Sequence, residues 1–319
     1  MSKGKVSGPI KDAAAAPHVA LLMVQLIFGS WPIAAKIALR ALPSTGLVAF
    51  RIAGAGLAFL ILQGVVGRVP IRDKQDYARI FLYSLLGVIL NQLLFVKGLS
   101  MTTVINATLL GTTIPVFALL ISILLGYDSF SLRRALGTLL AAAGVVYLVD
   151  PARASFSGET TLGNLLLVLN SICYGAYIAI SKEVIKRYGA LTVITWVFIF
   201  GSIVTVPIGA LTTSREMVTG ASVQVWLAVL YIILVPTVGA YYLNAWALAR
   251  VAPSTVAVYI YLQPLIAFLL APWILHESWT NRTWIATGLI FAGVAIVTRR
   301  SRREAVEEEV SEQPEALGP

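Results

Sequence analysis

Apolar runs with few or no charges recur along the chain from Val19 to Arg299, broken only by short polar segments. Each is long enough, at about 20 residues, to cross roughly 30 Å of hydrocarbon as a helix. Ten can be placed, over about residues 19–39, 47–67, 77–97, 102–125, 133–150, 160–181, 191–213, 223–249, 252–274 and 283–299. At that length they use about 200 of the 319 residues, which leaves short loops and no room for a soluble domain. Composition agrees: 12% of residues are charged and 58% hydrophobic, against about 25% charged in a water-soluble globule. The reading is an all-α integral membrane protein with ten transmembrane helices. A receptor or anchored enzyme with a sizeable extramembrane part is excluded.

The formal charge of +9 comes from 24 basic and 15 acidic residues. On a soluble protein that excess would suggest nucleic acid; here the basic residues sit in loops, so membrane orientation explains them and no nucleic-acid partner is expected. Seventeen fall on the side of the N-terminus, five on the other, and Lys36 and Arg51 within runs. Both termini are therefore expected in the cytoplasm, with the chain multi-pass in a plasma (bacterial inner) membrane. Lys36, Arg51 and Lys182 lie within about two turns of run ends, where snorkelling to the interface is the simplest fate. Residues 1–18 carry Lys3, Lys5 and Lys11, like the basic region of a signal peptide, but Lys36 and Arg40 follow the first run without a convincing cleavage site, so an uncleaved first helix is expected. Residues 300–319 turn acidic after Arg299-Arg300-Ser301-Arg302-Arg303 and read as a disordered cytoplasmic tail. The single cysteine, Cys173, sits in an apolar run as a small hydrophobe.

Compared with itself, the chain repeats. A shift of 149 places Pro115 on Pro264, Asp128 on Glu277, Arg133 on Arg282, Thr138 on Thr287 and Gly144 on Gly293; a shift of 146 places Gly29 on Gly175 and Lys36 on Lys182. Two five-helix repeats follow, 19–150 and 159–299. An odd helix number makes the second copy enter from the opposite side, and loop charges swap accordingly: four basic residues lie from Arg68 to Arg79, against Arg215 alone in the equivalent loop. Inverted repeats suit secondary transport, because two related halves can exchange conformations around one central site. A channel or a membrane enzyme does not need that symmetry.

Candidate joints are the prolines. Pro115 and Pro264, near the middle of the fourth and ninth runs, would free the carbonyls of Gly111 and Ile260. Pro32, within Gly29-Ser30-Trp31-Pro32, and Pro236 could act in the same way, and Gly29 joins them as a gating residue. Polar residues at membrane depth mark a cavity: Gln25, Asn91, Gln92, Asn106, Thr112, Asn170, Asn244 and Gln263, joined by Trp31, Tyr174, Tyr177, Tyr241, Tyr259 and Tyr261. Interhelical hydrogen bonding is the competing use of each amide. No Asp or Glu occupies the middle of a run, so no carboxylate proton relay is visible and facilitated transport or exchange is favoured. His18, His276 and Cys173 offer no zinc set, and no glycine loop cradles phosphate. No catalytic residue, metal, ATP or other cofactor is expected, and the chain does not read as an enzyme.

These residues resemble the EamA-type branch of the drug/metabolite transporter superfamily over about 19–299. The most specific part is a mid-helix proline, an acidic residue 13 later, then two small residues: Pro264, Glu277, Ala286 and Gly293, and in the first half Pro115, Asp128, Gly137 and Gly144. Arg51 with Ala53, and Trp31 after Gly29, also fit. Asp128 in place of Glu and Ala286 in place of Gly are mild departures. The resemblance implies ten helices in two inverted repeats and export of small metabolites; the chain is most similar to YddG-type amino-acid exporters. A deep site with aromatics, amides and no fixed charge suits zwitterions with apolar side chains. The expected partners are the lipid bilayer and a small-molecule substrate, an amino acid or related metabolite. A sugar-phosphate or nucleotide-sugar carrier of the same superfamily is the alternative and would need a buried Lys or Arg; from other classes, a membrane enzyme or a channel remain. The small-residue tracts Gly137–Gly144 and Gly288–Gly293 permit close packing within or between subunits, so oligomeric state stays open and a monomer is compatible with it.

Overall fold

The computed structural model describes residues 9–67, 69–102, 107, 110–126, 130–149, 158–263, 265 and 281–298, and among these every regular element is helical. In chain order they are α1 (Pro9–Ala38), α2 (Ser44–Val66), α3 (Lys74–Met101), α4 (Ile114–Leu124), α5 (Leu132–Val149), α6 (Gly158–Tyr188), α7 (Ala190–Thr212), α8 (Val223–Leu248), α9 (Pro253–Val258) and α10 (Asn281–Thr298). A short helix, Arg215–Gly220, precedes α8. Local chemistry sets the boundaries. Asp73 caps α3 by accepting from Gln75 N at 2.9 Å, Ser222 caps α8 by accepting from Val225 N at 3.4 Å, and Gly189, at φ 80°, turns the chain between α6 and α7.

Six segments among the described residues are long and apolar enough to cross a membrane: Ala15–Ala38, Ser44–Val66, Lys74–Met101, Thr161–Tyr188, Ala190–Thr212 and Val223–Leu248. Ile114–Leu124 and Trp284–Val297 are shorter apolar helices. The expected runs 102–125 and 252–274 fall partly outside the described residues, and the expected tail, residues 1–8 of the N-terminal segment, Asp128, His276 and Glu277 lie outside them. Large apolar side chains face outward, among them Leu57, Leu124 and Leu211, 62%, 74% and 89% exposed. That surface suits lipid and would be untenable in water.

The most extensive helix pairs are α2 with α7 and α5 with α10; α3 and α4 pack on α6, α1 on α8, and α9 on α4. Small residues make the tight pairs possible. A Cβ on Gly293 would sit 2.6 Å from the Gly137 carbonyl oxygen and 2.6 Å from Ala141 N, so the α5 and α10 backbones touch. The close packing that the glycine tracts permit is therefore made inside one chain. On the α2–α7 pair, a Cβ on Gly209 would meet the Ala49 Cβ at 2.3 Å.

Among the described residues, four interruptions mark the interior. α3 carries a π-helical turn at Leu85–Leu90 and α8 one at Ile233–Gly239. The chain breaks at Thr112–Thr113 just before α4, and a 3₁₀ turn at Tyr259–Tyr261 follows α9. In each pair the members lie about 148 residues apart. Pro115 is placed differently from expectation. It occupies the first turn of α4, where its missing N–H would have had no partner anyway, so it does not kink a continuous helix at Gly111. The break lies upstream, where Thr113 N and Oγ1 both donate to the Leu110 carbonyl, at 3.0 and 2.7 Å. Pro32 sits inside an unbroken α1 beside the buried Gly29, Pro236 falls within the second π turn, and Pro264 lies outside the described residues.

Candidate substrate site

Pro236 explains the local geometry of α8. A proline cannot donate to the carbonyl four residues back, so the α-helical bond to Ile232 is missing and the ladder passes into the π turn Ile233–Gly239. The Thr237 hydroxyl also turns back to that carbonyl, donating to Ile232 O at 2.6 Å. Its oxygen in turn accepts from Arg51 Nε at 2.6 Å. On its other side, Arg51 Nη1 donates to Gln92 Oε1 at 2.5 Å, and the guanidinium lies 3.8 Å from the centre of the Trp31 ring and 5.9 Å from that of Tyr241. Arg51 is 1% exposed.

This corrects the expectation that Arg51 snorkels to the interface, and with it the expectation of a deep site without fixed charge. Seven residues into α2 amounts to about 10 Å of helix, and from there the side chain turns inward to α3 and α8. Among the described residues no carboxylate comes within 4.0 Å of it. Hydroxyl and amide dipoles and a π face hold the charge, and none of them cancels it.

A shell of the expected residues surrounds Arg51. Gln92 Nε2 donates to Asn91 Oδ1 at 2.7 Å and also to the Tyr241 hydroxyl, and Tyr241 donates onward to the Gly87 carbonyl at 3.4 Å, within the first π turn. Asn170 Nδ2 donates to the Asn91 carbonyl at 2.7 Å, and Asn244 Nδ2 to the Tyr174 hydroxyl at 3.3 Å. Tyr174 stacks on Tyr177 at 5.7 Å, and Trp31 on Phe95 at 6.0 Å. Gly87 makes room for Tyr177, since a Cβ there would lie 2.6 Å from the tyrosine ring. α1, α2, α3, α6 and α8 all contribute, so residues from both ends of the sequence meet at one buried point.

Other expected residues lie elsewhere. Gln25 and Gln263 pair with each other at 2.8 Å. Tyr259 bonds His18 Nδ1 at 2.8 Å, towards the N-terminal end of α1. Tyr261 is buried with no partner for its hydroxyl among the described residues, and Thr112 sits at the break before α4. Asn106 lies outside the described residues. Lys36 turns to the end of α3, donating to the carbonyls of Leu99 and Thr102 at 2.7 and 3.0 Å, where a cation complements the helix dipole. Sequence reasoning missed Thr237 and Asp76 as structural centres. The sequence Pro236-Thr237 carries a usable signal for the first: a hydroxyl one residue after a mid-run proline.

Against known proteins, the model of the EamA-like transporter family matches residues 16–149 and again 161–299. The chain belongs to the EamA-like transporter family. As an EamA-like protein it is a multi-pass membrane transporter and not an enzyme. An uncharacterized transporter of Archaeoglobus fulgidus is 26% identical over 287 residues, spanning 90% of this chain and 98% of that relative. The uncharacterized inner membrane transporter YedA of Escherichia coli K12 is 25% identical over 310 residues, with 88% and 89% covered. A WAT1-related protein of Arabidopsis thaliana is 25% identical over 315 residues, with 88% and 82% covered. One crystal structure, 19% identical, shares the fold of this EamA-like chain with a TM-score of 0.75 over 92% of it and 98% of the other.

Proposed function

We propose that this protein exports or facilitates passage of amino acids, including aromatic and other apolar ones, by alternating access about the Arg51 cluster. Ten helices in two inverted repeats, 19–150 and 159–299, would supply the two exchanging halves, with both termini in the cytoplasm of a bacterial inner membrane. The pairing of α2 with α7 and α5 with α10, together with interruptions recurring about 148 residues apart, supports that symmetry. The observation that carries the substrate reading is the buried guanidinium without a carboxylate partner among the described residues. A substrate carboxylate would complete its charge through a two-bonded contact, while Asn91, Tyr174 and Tyr241 offer oxygens to an ammonium group and rings to an apolar side chain. Pro236 couples the site to a joint in α8, and Pro32, Pro264 and Gly29 are the remaining gating candidates.

The same arginine supports a second reading, a sugar-phosphate or nucleotide-sugar carrier, since a buried basic residue is what such a substrate needs. Purified protein in liposomes preloaded with one amino acid and challenged with a labelled panel separates the two. Saturable uptake of apolar and aromatic amino acids, competed by one another, is expected. Saturable uptake confined to phosphorylated sugars would replace the amino-acid reading, conductance without saturation would indicate a channel, and absence of any saturable amino-acid uptake would remove it.

A further inference from the structure

A second basic site lies away from Arg51. Where α2 ends, where α6 passes into α7 and where α8 ends, the bundle opens into a cleft of about 730 Å³. Lys186 and Arg250 line it, both exposed, and neither has a carboxylate within 4.0 Å among the described residues. Arg187, next in sequence to Lys186, is by contrast engaged by Asp76. Arg250 is held in place: Nη1 donates to the Trp246 carbonyl at 2.8 Å, and the guanidinium lies 3.9 Å from the Trp246 ring centre. Its remaining N–H groups are left for a ligand.

The cleft also receives the first turn of α7, Ala190 to Thr192. Its N-cap, Gly189, has no side chain to offer those N–H groups. Thr192 is 4% exposed, and its hydroxyl has no hydrogen-bond partner among the described residues although it borders the cleft. Two cations, a helix N-terminus and a spare hydroxyl converge as an anion site.

The surroundings select the source of the anion. The cleft sits where the apolar segments Ser44–Val66 and Val223–Leu248 stop, which is headgroup level. Val65, Val66 and Val69, 82%, 72% and 50% exposed, continue from it as an apolar surface, and Trp246 and Tyr242 line the cleft itself. A free phosphate would leave that apolar surface unused, whereas acyl chains would cover it. We propose that this cleft binds the phosphate of an anionic membrane lipid, its chains lying along the end of α2.

Native mass spectrometry tests this on the full-length protein, exchanged in neutral detergent against phosphatidylglycerol or phosphatidylcholine of the same chain composition. Phosphatidylglycerol should be retained about tenfold better, and the Lys186→Gln/Arg250→Gln double variant should lose that preference. Thr192→Val, which changes no charge, should lower it about threefold; full retention there alongside loss in the double variant would reduce the effect to general surface charge and overturn the site. Equal retention of the two lipids by the unaltered protein, or an unchanged preference in the double variant, would do the same. Glycerol 3-phosphate and inorganic phosphate should displace the lipid poorly, and displacement by either at a concentration equal to that of the lipid would assign the cleft to free phosphate. A thermal midpoint for both variants in phosphatidylcholine matching the unaltered protein separates loss of binding from loss of fold.

Discussion

Arg51 and Asp76 are both fully buried, 1% and 0% exposed, and their surroundings are opposite. Asp76, in the first turn of α3, accepts from Arg79 at 3.0 Å, Arg187 at 2.7 Å and the Tyr188 hydroxyl at 2.8 Å. It ties α3 to the end of α6 with its charge fully answered. Arg51 has hydrogen bonds but, among the described residues, no opposite charge. Removing a charge from water costs several kcal/mol unless an opposite charge and hydrogen bonds compensate. Asp76 is compensated and holds the molecule together, whereas Arg51 carries an uncancelled charge that an anionic substrate group would answer. On the proposed function, an uncompensated buried charge thus marks a site and a compensated one a brace.

The sharpest way to break that comparison is Arg51→Met, which keeps length and removes charge. Transport should fall about 100-fold, the equivalent of one charge-assisted contact to substrate of about 1.5–3 kcal/mol. The thermal midpoint should hold or rise, since a poorly compensated charge has been removed from the interior. Arg51→Lys should fall between, keeping the charge and losing the planar fork. Proteoliposome uptake and thermal unfolding of the same preparations check both halves. A midpoint falling in step with transport would make Arg51 a second brace.

Much of this was legible in the sequence, and what escaped has physical reasons. Helices, apolar surface and family follow from run length and from repetition, because hydrocarbon demands both charge exclusion and internal hydrogen bonding. The amides and aromatics that gather around Arg51, from Trp31 to Asn244, are readable as a candidate site because polar groups at membrane depth need a use. Arg51 is misread because distance along a helix fixes depth and not direction, and a long side chain two turns from an end can turn either way. The π turns leave no trace in hydropathy: Leu85–Leu90 is apolar throughout, and only Pro236 hints at its counterpart. Pro115 looks mid-run by apolarity, yet the break at Thr112–Thr113 makes it a first-turn residue. Asp76 hides in the charged stretch Arg72-Asp73-Lys74-Gln75-Asp76, where its neighbour Asp73 is an exposed helix cap.

The two prolines extend the comparison from charges to joints, at a smaller expected effect. Pro236→Ala returns an N–H to the Ile232 carbonyl, which then competes with the Thr237 hydroxyl that positions Arg51. Transport should slow about tenfold while substrate affinity, read by tryptophan fluorescence, shifts less than twofold. Pro115→Ala, in a first turn where no hydrogen bond is at stake, should leave the rate within about twofold. Equal slowing by both would return the gating role to sequence position and detach it from the Arg51 network.

The smallest effect on transport is expected at the fully compensated charge. Asp76→Asn keeps the shape and removes the charge that holds Arg79 and Arg187. Those arginine side chains are 48% and 50% exposed, so once released they are solvated in place and leave no stranded charge behind. The loss is therefore confined to the tie between α3 and α6: a thermal midpoint lower by about 3–5 °C, with transport changed by less than about threefold. Because the carboxylate itself is out of reach of solvent, 1 M salt should weaken the tie in the unaltered protein by less than the substitution does. Loss of transport at an unchanged midpoint would reverse the assignment, making Asp76 a working carboxylate and ending the distinction between the answered charge and the unanswered one.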